Sequence, residues 1–188
     1  TLKGRMLKDE ARKANGDAQT RLYLRSTKAY ADAAALAQDS YPLINAATMS
    51  MFAGQTGQME SQAKQVMALL HSGAGAGETP YWHEATKAEA LLLLKKRSEA
   101  EAALVDAVKH APEAWEDHAT TLRQFRAILR HRGQPDNWLA AYAPPGSIFF
   151  KGMMGISPDD HKATDAINRG VGDSGARFAY GALAAGAD

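Results

Sequence analysis

The sequence predicts a mainly α-helical protein, a stack of antiparallel helix pairs with about seven helices, followed by a truncated β-α-β appendage. Apolar and small residues recur at helical spacing through most of the chain, and glycine and proline interrupt them where helices should end. From Pro144-Pro145 onward the pattern changes to short β-type runs beside glycine. We therefore expect a helical repeat domain at residues 1–143 and the beginning of an incomplete α/β domain at residues 144–188.

The composition favours a folded protein in a reducing compartment. Hydrophobic residues make up 45% of the 188, and 22 basic against 21 acidic side chains give a net charge of +1. This balance argues against a nucleic-acid or membrane-surface partner. The absence of cysteine excludes disulfides, thiolate zinc sites and a cysteine nucleophile. We expect a cytoplasmic protein outside the membrane, since the longest aliphatic run, residues 91–94, is too short to span one.

The first four helices follow from apolar spacing and helix-breaking residues. Leu2, Met6 and Leu7 are expected on one side of the first helix, and Leu36 and Ala37 extend the apolar face of the second. Pro42 lies near the first turn of the third helix. A glycine-rich loop over residues 72–77 follows the fourth. The expected ranges are residues 2–14, 22–37, 42–53 and 58–71.

The later helices form a further pair and a capping helix. Tyr81 opens the pair, Pro112-Glu113 opens the seventh helix, and Gly133 ends it. The expected ranges are residues 81–94, 98–109 and 113–131, with a short eighth helix around residues 136–142.

Four methionines are expected to act as adaptable core filler, although methionine-rich grooves also bind partners. They are Met49, Met51, Met59 and Met67.

Residues 81–112 carry small and large apolar side chains at fixed offsets on two successive helices. The positions are Ala88, Leu91, Ala100, Leu104, Ala107 and Pro112. This spacing resembles one unit of the tetratricopeptide repeat, whose two helices approach closely where side chains are small. The alternative is an ordinary helical hairpin with alanine-rich faces. The unit recurs at an offset of about 40 residues, because Tyr41 and Tyr81 both open a helix and Ala-Thr follows each.

Several ordered sequence pieces carry a wider resemblance. They are Gly4-Arg5 with Lys8-Asp9, Ile44-Asn45-Ala46-Ala47-Thr48, Tyr81-Trp82 with Ala85-Thr86 and Ala88-Glu89-Ala90, and Thr121-Leu122-Arg123-Gln124. Most of residues 1–132 thereby resembles the tetratricopeptide-bearing regulatory region beside the TRAF-binding segment of the apoptosis-signal-regulating kinases, and its bacterial relatives. The resemblance implies a scaffold in a signalling protein. It implies no kinase chemistry, since the chain has no kinase motif.

The carboxyl-terminal part resembles a different family. Residues 147–150 and 177–180 are predicted strands, and residues 159–169 a predicted helix between them. The runs at residues 149–154 and 180–188 resemble the start of a Rossmann-like domain of the nucleotide-ligand-sensing type. This resemblance implies that Gly152, Gly181 and Gly186 approach a nucleotide-like ligand once the domain is complete, although glycines there also serve close packing. We expect the chain to be a segment of a longer protein.

Polar side chains within otherwise apolar helices are candidates for binding a partner. One explanation is a charged concave groove that binds an acidic segment of a protein or peptide. The other is a set of inter-helix salt bridges that fix the stacking of successive pairs. The candidate residues are Arg5, Lys8, Asp9, Asn45, Thr48, Trp82, Glu89, Arg123 and Arg126.

No motif predicts catalysis, a metal or a cofactor. His83-Glu84 begins a zinc-protease pattern, but Lys87 stands where the second histidine is needed. Asp159-Asp160-His161 follows Pro158 at a helix start, where acidic residues cap the helix. We therefore expect a non-catalytic interaction or regulatory scaffold module of a multidomain signalling protein. The alternative is the control arm of an α/β protein that senses or processes a nucleotide-derived ligand.

Overall fold

The computed structural model describes residues 1–37, 39–73 and 78–144, where the chain forms seven α-helices, one 3-10 helix and no strand. The α-helices are α1 Leu2–Lys13, α2 Gly16–Ala37, α3 Ser40–Phe52, α4 Thr56–His71, α5 Pro80–Leu93, α6 Arg97–His110 and α7 Trp115–His131. The 3-10 helix spans Asn137–Tyr142. The mainly helical prediction is thus confirmed. The strands and helix predicted within residues 145–188 lie outside the described residues.

The helices pack in chain order, with a second set of contacts between alternate helices. From α1 to α6, each helix packs against the next. In addition, α3 packs against α5, and α5 packs against α7. Short connections, such as the two residues between α1 and α2, force neighbouring helices to reverse direction. The odd-numbered helices therefore lie side by side on one side of the molecule. Of the helices described, none combines the length and apolar character needed to cross a membrane.

Helix α3 is the centre of the core. Pro42 and every residue from Leu43 to Met51 are buried in it, since α2, α4 and α5 all pack around it. The predicted inward residues Met59 and Val66 of α4 are buried in the main core cluster, and Met49 is buried beside α2. The expected core role of these methionines is confirmed.

The pair α5–α6 is packed as the small-residue pattern predicts. Ala88 of α5 and Ala100 and Ala107 of α6 have no exposed surface, and Leu91 and Leu104 are buried beside them. Arg132, the residue that follows α7, caps the carboxyl end of α5. Its guanidinium donates to the carbonyl oxygens of Leu92 and Leu93, both at 2.6 Å. The bond to Leu93 satisfies a carbonyl that a helix end leaves without a partner, and the bond to Leu92 adds to the one that its carbonyl accepts from Lys95 N at 3.1 Å.

Three alternate helices end in the same way. Gly54, Lys95 and Gly133 follow α3, α5 and α7 with φ of 76°, 63° and 62°. In each case the next backbone N–H reaches back to a carbonyl in the last turn. These bonds are Gln55 N to Ser50 O at 2.8 Å, Lys96 N to Leu91 O at 2.9 Å, and Gln134 N to Leu129 O at 2.9 Å. These endings recur at intervals of about 40 residues, the spacing expected for the predicted repeat, and Gly73 after α4 has a similar φ of 73°.

The first pair is held by a close approach at Gly4. The carbonyl of Gly4 accepts a hydrogen bond from Ser26 Oγ at 2.8 Å, and a methyl group at Gly4 would lie 2.8 Å from the Tyr30 ring. The buried side of α1 is Gly4, Leu7 and Ala11. Of the three residues expected on one apolar side of α1, Leu7 is buried. Leu2 and Met6 are 71% and 57% exposed, because α1 packs on Tyr30 through Gly4 instead.

Three further expectations are corrected. Helix α2 begins at Gly16 instead of residue 22, because residues 16–21 contain no large apolar side chain and apolar spacing gives no signal there. Leu36 is 89% exposed and Ala37 is exposed, so they do not extend the buried face. The seventh helix begins at Trp115 instead of residue 113. The expected short eighth helix is present as a 3-10 helix, and its Leu139 is buried in the core.

Candidate functional site

A groove of about 800 Å³ runs across the odd-numbered helices. Helices α1, α3, α5 and α7 line it, α2 contributes only Tyr30, and α4 and α6 contribute nothing. Residues at helical spacing reach it from each helix, such as Arg5, Lys8 and Arg12 on α1. The groove is therefore a product of the alternate packing of the helices.

Seven of the nine predicted partner-binding residues line this groove. They are Arg5, Lys8, Asp9, Asn45, Trp82, Glu89 and Arg123. Thr48 lies beneath it and donates to Glu89, whereas Arg126 is not among the residues that line it. The sequence reasoning missed Arg12, Tyr41 and Gln124. Helical spacing gave a signal for Arg12, which follows Lys8 by four residues. Gln124 has no candidate at helical spacing, although it directly follows Arg123.

The floor of the groove is a hydrogen-bonded network with Glu89 at its centre. Glu89 Oε1 accepts from Thr48 Oγ1 at 2.5 Å and from Gln124 Nε2 at 3.0 Å. Lys8 Nζ donates to Asn45 Oδ1 at 3.1 Å and to Gln124 Oε1 at 3.4 Å. The side-chain amide of Gln124 thus lies between the ammonium of Lys8 and the carboxylate of Glu89. The network joins α1, α3, α5 and α7.

Burial disfavours the charged forms of both ionisable groups in this floor, Glu89 and Lys8. Burial raises the pKa of Glu89, and the hydrogen bonds from Thr48 and Gln124 and the charge of Lys8 oppose that rise. Burial, with the charge of Arg12, lowers the pKa of Lys8 to about 8, against the opposite influence of Glu89. Perturbed groups in a groove are typical of functional sites, although structural networks also produce them.

The ion pairs of the described residues do not join one α-helix to another. Six of the seven connect residues within four positions of each other, and the seventh connects Arg130 to Asp136. Lys8 and Glu89 are not among the pairs within 4.0 Å. Neutral amide and hydroxyl groups therefore connect the helices at the groove, in place of the predicted inter-helix salt bridges.

The charges and aromatic rings around the floor are mixed. Four basic and four acidic side chains line the groove, so its charge is balanced: Arg5, Lys8, Arg12 and Arg123 against Asp9, Glu78, Glu89 and Glu116. Tyr41, which is 46% exposed, and the half-buried Trp82 add aromatic surface. The caps of their helices hold both in place: Asp39 accepts from Tyr41 N at 3.0 Å, and Thr79 Oγ1 accepts from Trp82 N at 3.3 Å.

The other sequence candidates lie apart from the groove or outside the described residues. Glu84 is bonded to His83 at 3.3 Å and to Lys87 at 2.9 Å, which occupies both of its carboxylate oxygens. In the part of the chain that the structure describes, no group of three histidine or acidic side chains is placed to hold a metal ion. Gly152, Gly181 and Gly186 lie outside the described ranges.

Comparison with known proteins finds no family model, no curated protein and no solved structure that matches this chain.

Proposed function

We propose that residues 1–144 form a tetratricopeptide-like interaction module whose groove binds an extended segment of a protein partner. The observation that carries the proposal is that the groove is lined by α1, α3, α5 and α7 and by almost nothing else. Stacked helix pairs create a concave surface of this kind from the first helix of each pair. The shared endings after α3, α5 and α7 support the same repeat.

The chemistry of the groove suits a peptide. Exposed guanidinium and carboxylate groups alternate with the aromatic surface of Tyr41 and Trp82. An extended peptide presents both backbone hydrogen-bonding groups and side chains, and such a surface can bind both. The resemblance of residues 1–132 to the regulatory region of apoptosis-signal-regulating kinases supports a role as a non-catalytic scaffold in cytoplasmic signalling.

A randomised peptide display library tests this function. Peptides selected on the wild-type protein should bind through the groove, and Trp82→Ala and Arg123→Glu should each weaken them. The cost should be at least about tenfold in affinity, as for a central aromatic or arginine contact. Arg25→Glu is the matched control for Arg123→Glu, because Arg25 is exposed on α2 and does not line the groove.

The outcomes separate clearly. Loss of binding in both groove variants with retention in Arg25→Glu supports the proposal. No selected peptide, or peptides that bind all three variants equally, contradicts it. A thermal melt monitored by circular dichroism establishes that each variant is folded.

A further inference from the structure

The floor of the groove leaves one donor and one acceptor without a partner. Lys8 Nζ has three N–H donors, and the described residues accept from two of them, at Asn45 and Gln124. Both hydrogen bonds to Glu89 fall on Oε1, so Oε2 accepts none from the described residues. Glu89 is only partly buried and lines the groove. An open cationic donor and an open anionic acceptor thus lie on one floor.

These two groups are close enough to act on one ligand group but do not pair with each other. Their distance exceeds 4.0 Å, yet both are bonded to the same amide of Gln124. That amide presents its carbonyl oxygen to Lys8 and its NH2 group to Glu89. A primary amide is therefore already the group that bridges them.

We propose that Lys8 and Glu89 select an asparagine or glutamine side chain in the peptide that the groove binds. The carbonyl oxygen of that side chain accepts from Lys8 Nζ, and its NH2 group donates to Glu89 Oε2, repeating on the groove side the arrangement of Gln124. This proposal rests on the proposed peptide-binding function and names the chemistry of one position in the peptide.

Charge excludes the alternatives at that position. An aspartate or glutamate would place a second carboxylate against Glu89, and a lysine or arginine would place a second cation against Lys8. A partly desolvated site rejects a group that leaves one of its charges unpaired, because that charge keeps its desolvation cost. An uncharged group with both an acceptor and a donor satisfies both residues. A primary amide carries the two on separate atoms, as Gln124 does between Lys8 and Glu89, whereas a hydroxyl carries both on one oxygen.

The test is the residue preference of peptides selected from the randomised display library. Wild-type protein should enrich asparagine and glutamine at one position. Replacing that residue by glutamate in a synthetic peptide should lower the affinity by about tenfold or more, as expected for lost charge-assisted hydrogen bonds. Glu89→Gln removes the anion and keeps Lys8, so the preference should move to aspartate or glutamate.

The controls keep the result interpretable. Glu60→Gln is the matched variant, since Glu60 is exposed on α4 away from the groove, and it should retain the amide preference. Lys8→Gln is the mirror variant and should move the preference to lysine or arginine. It decides the matter alone if Glu89→Gln proves unfolded in a thermal melt.

Each outcome bears on a different proposal. Peptides that depend on Trp82 but show no amide preference, or a preference unchanged by Glu89→Gln and Lys8→Gln, overturn the amide site and leave the peptide-binding function standing. Failure to select any peptide that depends on the groove overturns both.

Discussion

Replacing Gly4 by alanine should destabilise the protein, although alanine is the better helix former. An added Cβ at this position lies 2.8 Å from two atoms of the Tyr30 ring and 2.9 Å from a third. Carbon atoms in good contact lie about 3.5–4.0 Å apart, so something must move. Tyr30 is 1% exposed and cannot turn away, which leaves α1 to shift outward from α2.

Two opposing effects set the magnitude. Removing a glycine from a helix contributes roughly 0.5–1 kcal/mol of stability. Forcing a methyl group into a packed contact costs about 1–3 kcal/mol. The net expectation for Gly4→Ala is a loss of about 0.5–2 kcal/mol, and each kcal/mol lowers Tm by about 2–4 °C in a chain of this size.

Gly57 provides the matched control. It also lies in the first turn of a helix, and an added Cβ there meets no atom within 4 Å. Gly57→Ala should therefore leave stability unchanged or raise it by up to about 1 kcal/mol. Urea unfolding of both variants measures the difference. Equal stabilisation in Gly4→Ala and Gly57→Ala would refute the close packing of α1 on α2.

Three further variants test other contacts. Arg132→Ala should cost about 1.5–3 kcal/mol, because it removes two charge-assisted bonds from the end of α5, whereas Arg130→Ala, with an exposed ion pair, should cost less than about 1 kcal/mol in urea unfolding. Ala100→Leu should lower stability by about 1–3 kcal/mol through overpacking, and the exposed Ala102→Leu should not; equal midpoints would disprove the α5–α6 register. Burial lowers the pKa of Lys8 from 10.5 to about 8, so the folded protein loses this proton at a lower pH than the unfolded chain. The free energy of unfolding of the wild type, relative to Lys8→Met, should therefore rise as the pH increases from about 8 to 10.5. A difference that does not change with pH would show that Lys8 is not desolvated.

The sequence predicts the helices well where apolar spacing carries the information. The burial of Ala88, Ala100 and Ala107 follows from small residues at fixed offsets. The start of α2 does not follow, because residues 16–21 contain no large apolar side chain. A tertiary contact holds this turn against α1, where Gln19 Nε2 donates to Ala11 O at 3.0 Å. The end of α5 is also hard to predict, because Lys95, with φ of 63°, occupies a position that glycine usually takes.

The sequence predicts many of the residues that line the groove, but it does not predict the hydrogen bonds between them. Charged residues placed within apolar helices identify Lys8, Glu89 and Arg123, because such residues are excluded from the core unless they reach a polar surface. The bridging role of Gln124 depends on the relative positions of α1, α5 and α7, which no local pattern encodes. The sequence therefore predicts charge at this surface, and the structure shows that amides connect it.

Mapping a selected peptide on the protein by NMR chemical-shift perturbation tests the central claim most directly. If the groove of α1, α3, α5 and α7 is the binding surface, the largest changes should fall on the side-chain N–H signals of Trp82 and Gln124 and on the backbone around Lys8. Signals from α4 and α6, which do not line the groove, should stay in place. Changes concentrated on α4, on α6 or within residues 145–188, with Trp82 and Gln124 unaffected, would contradict the account.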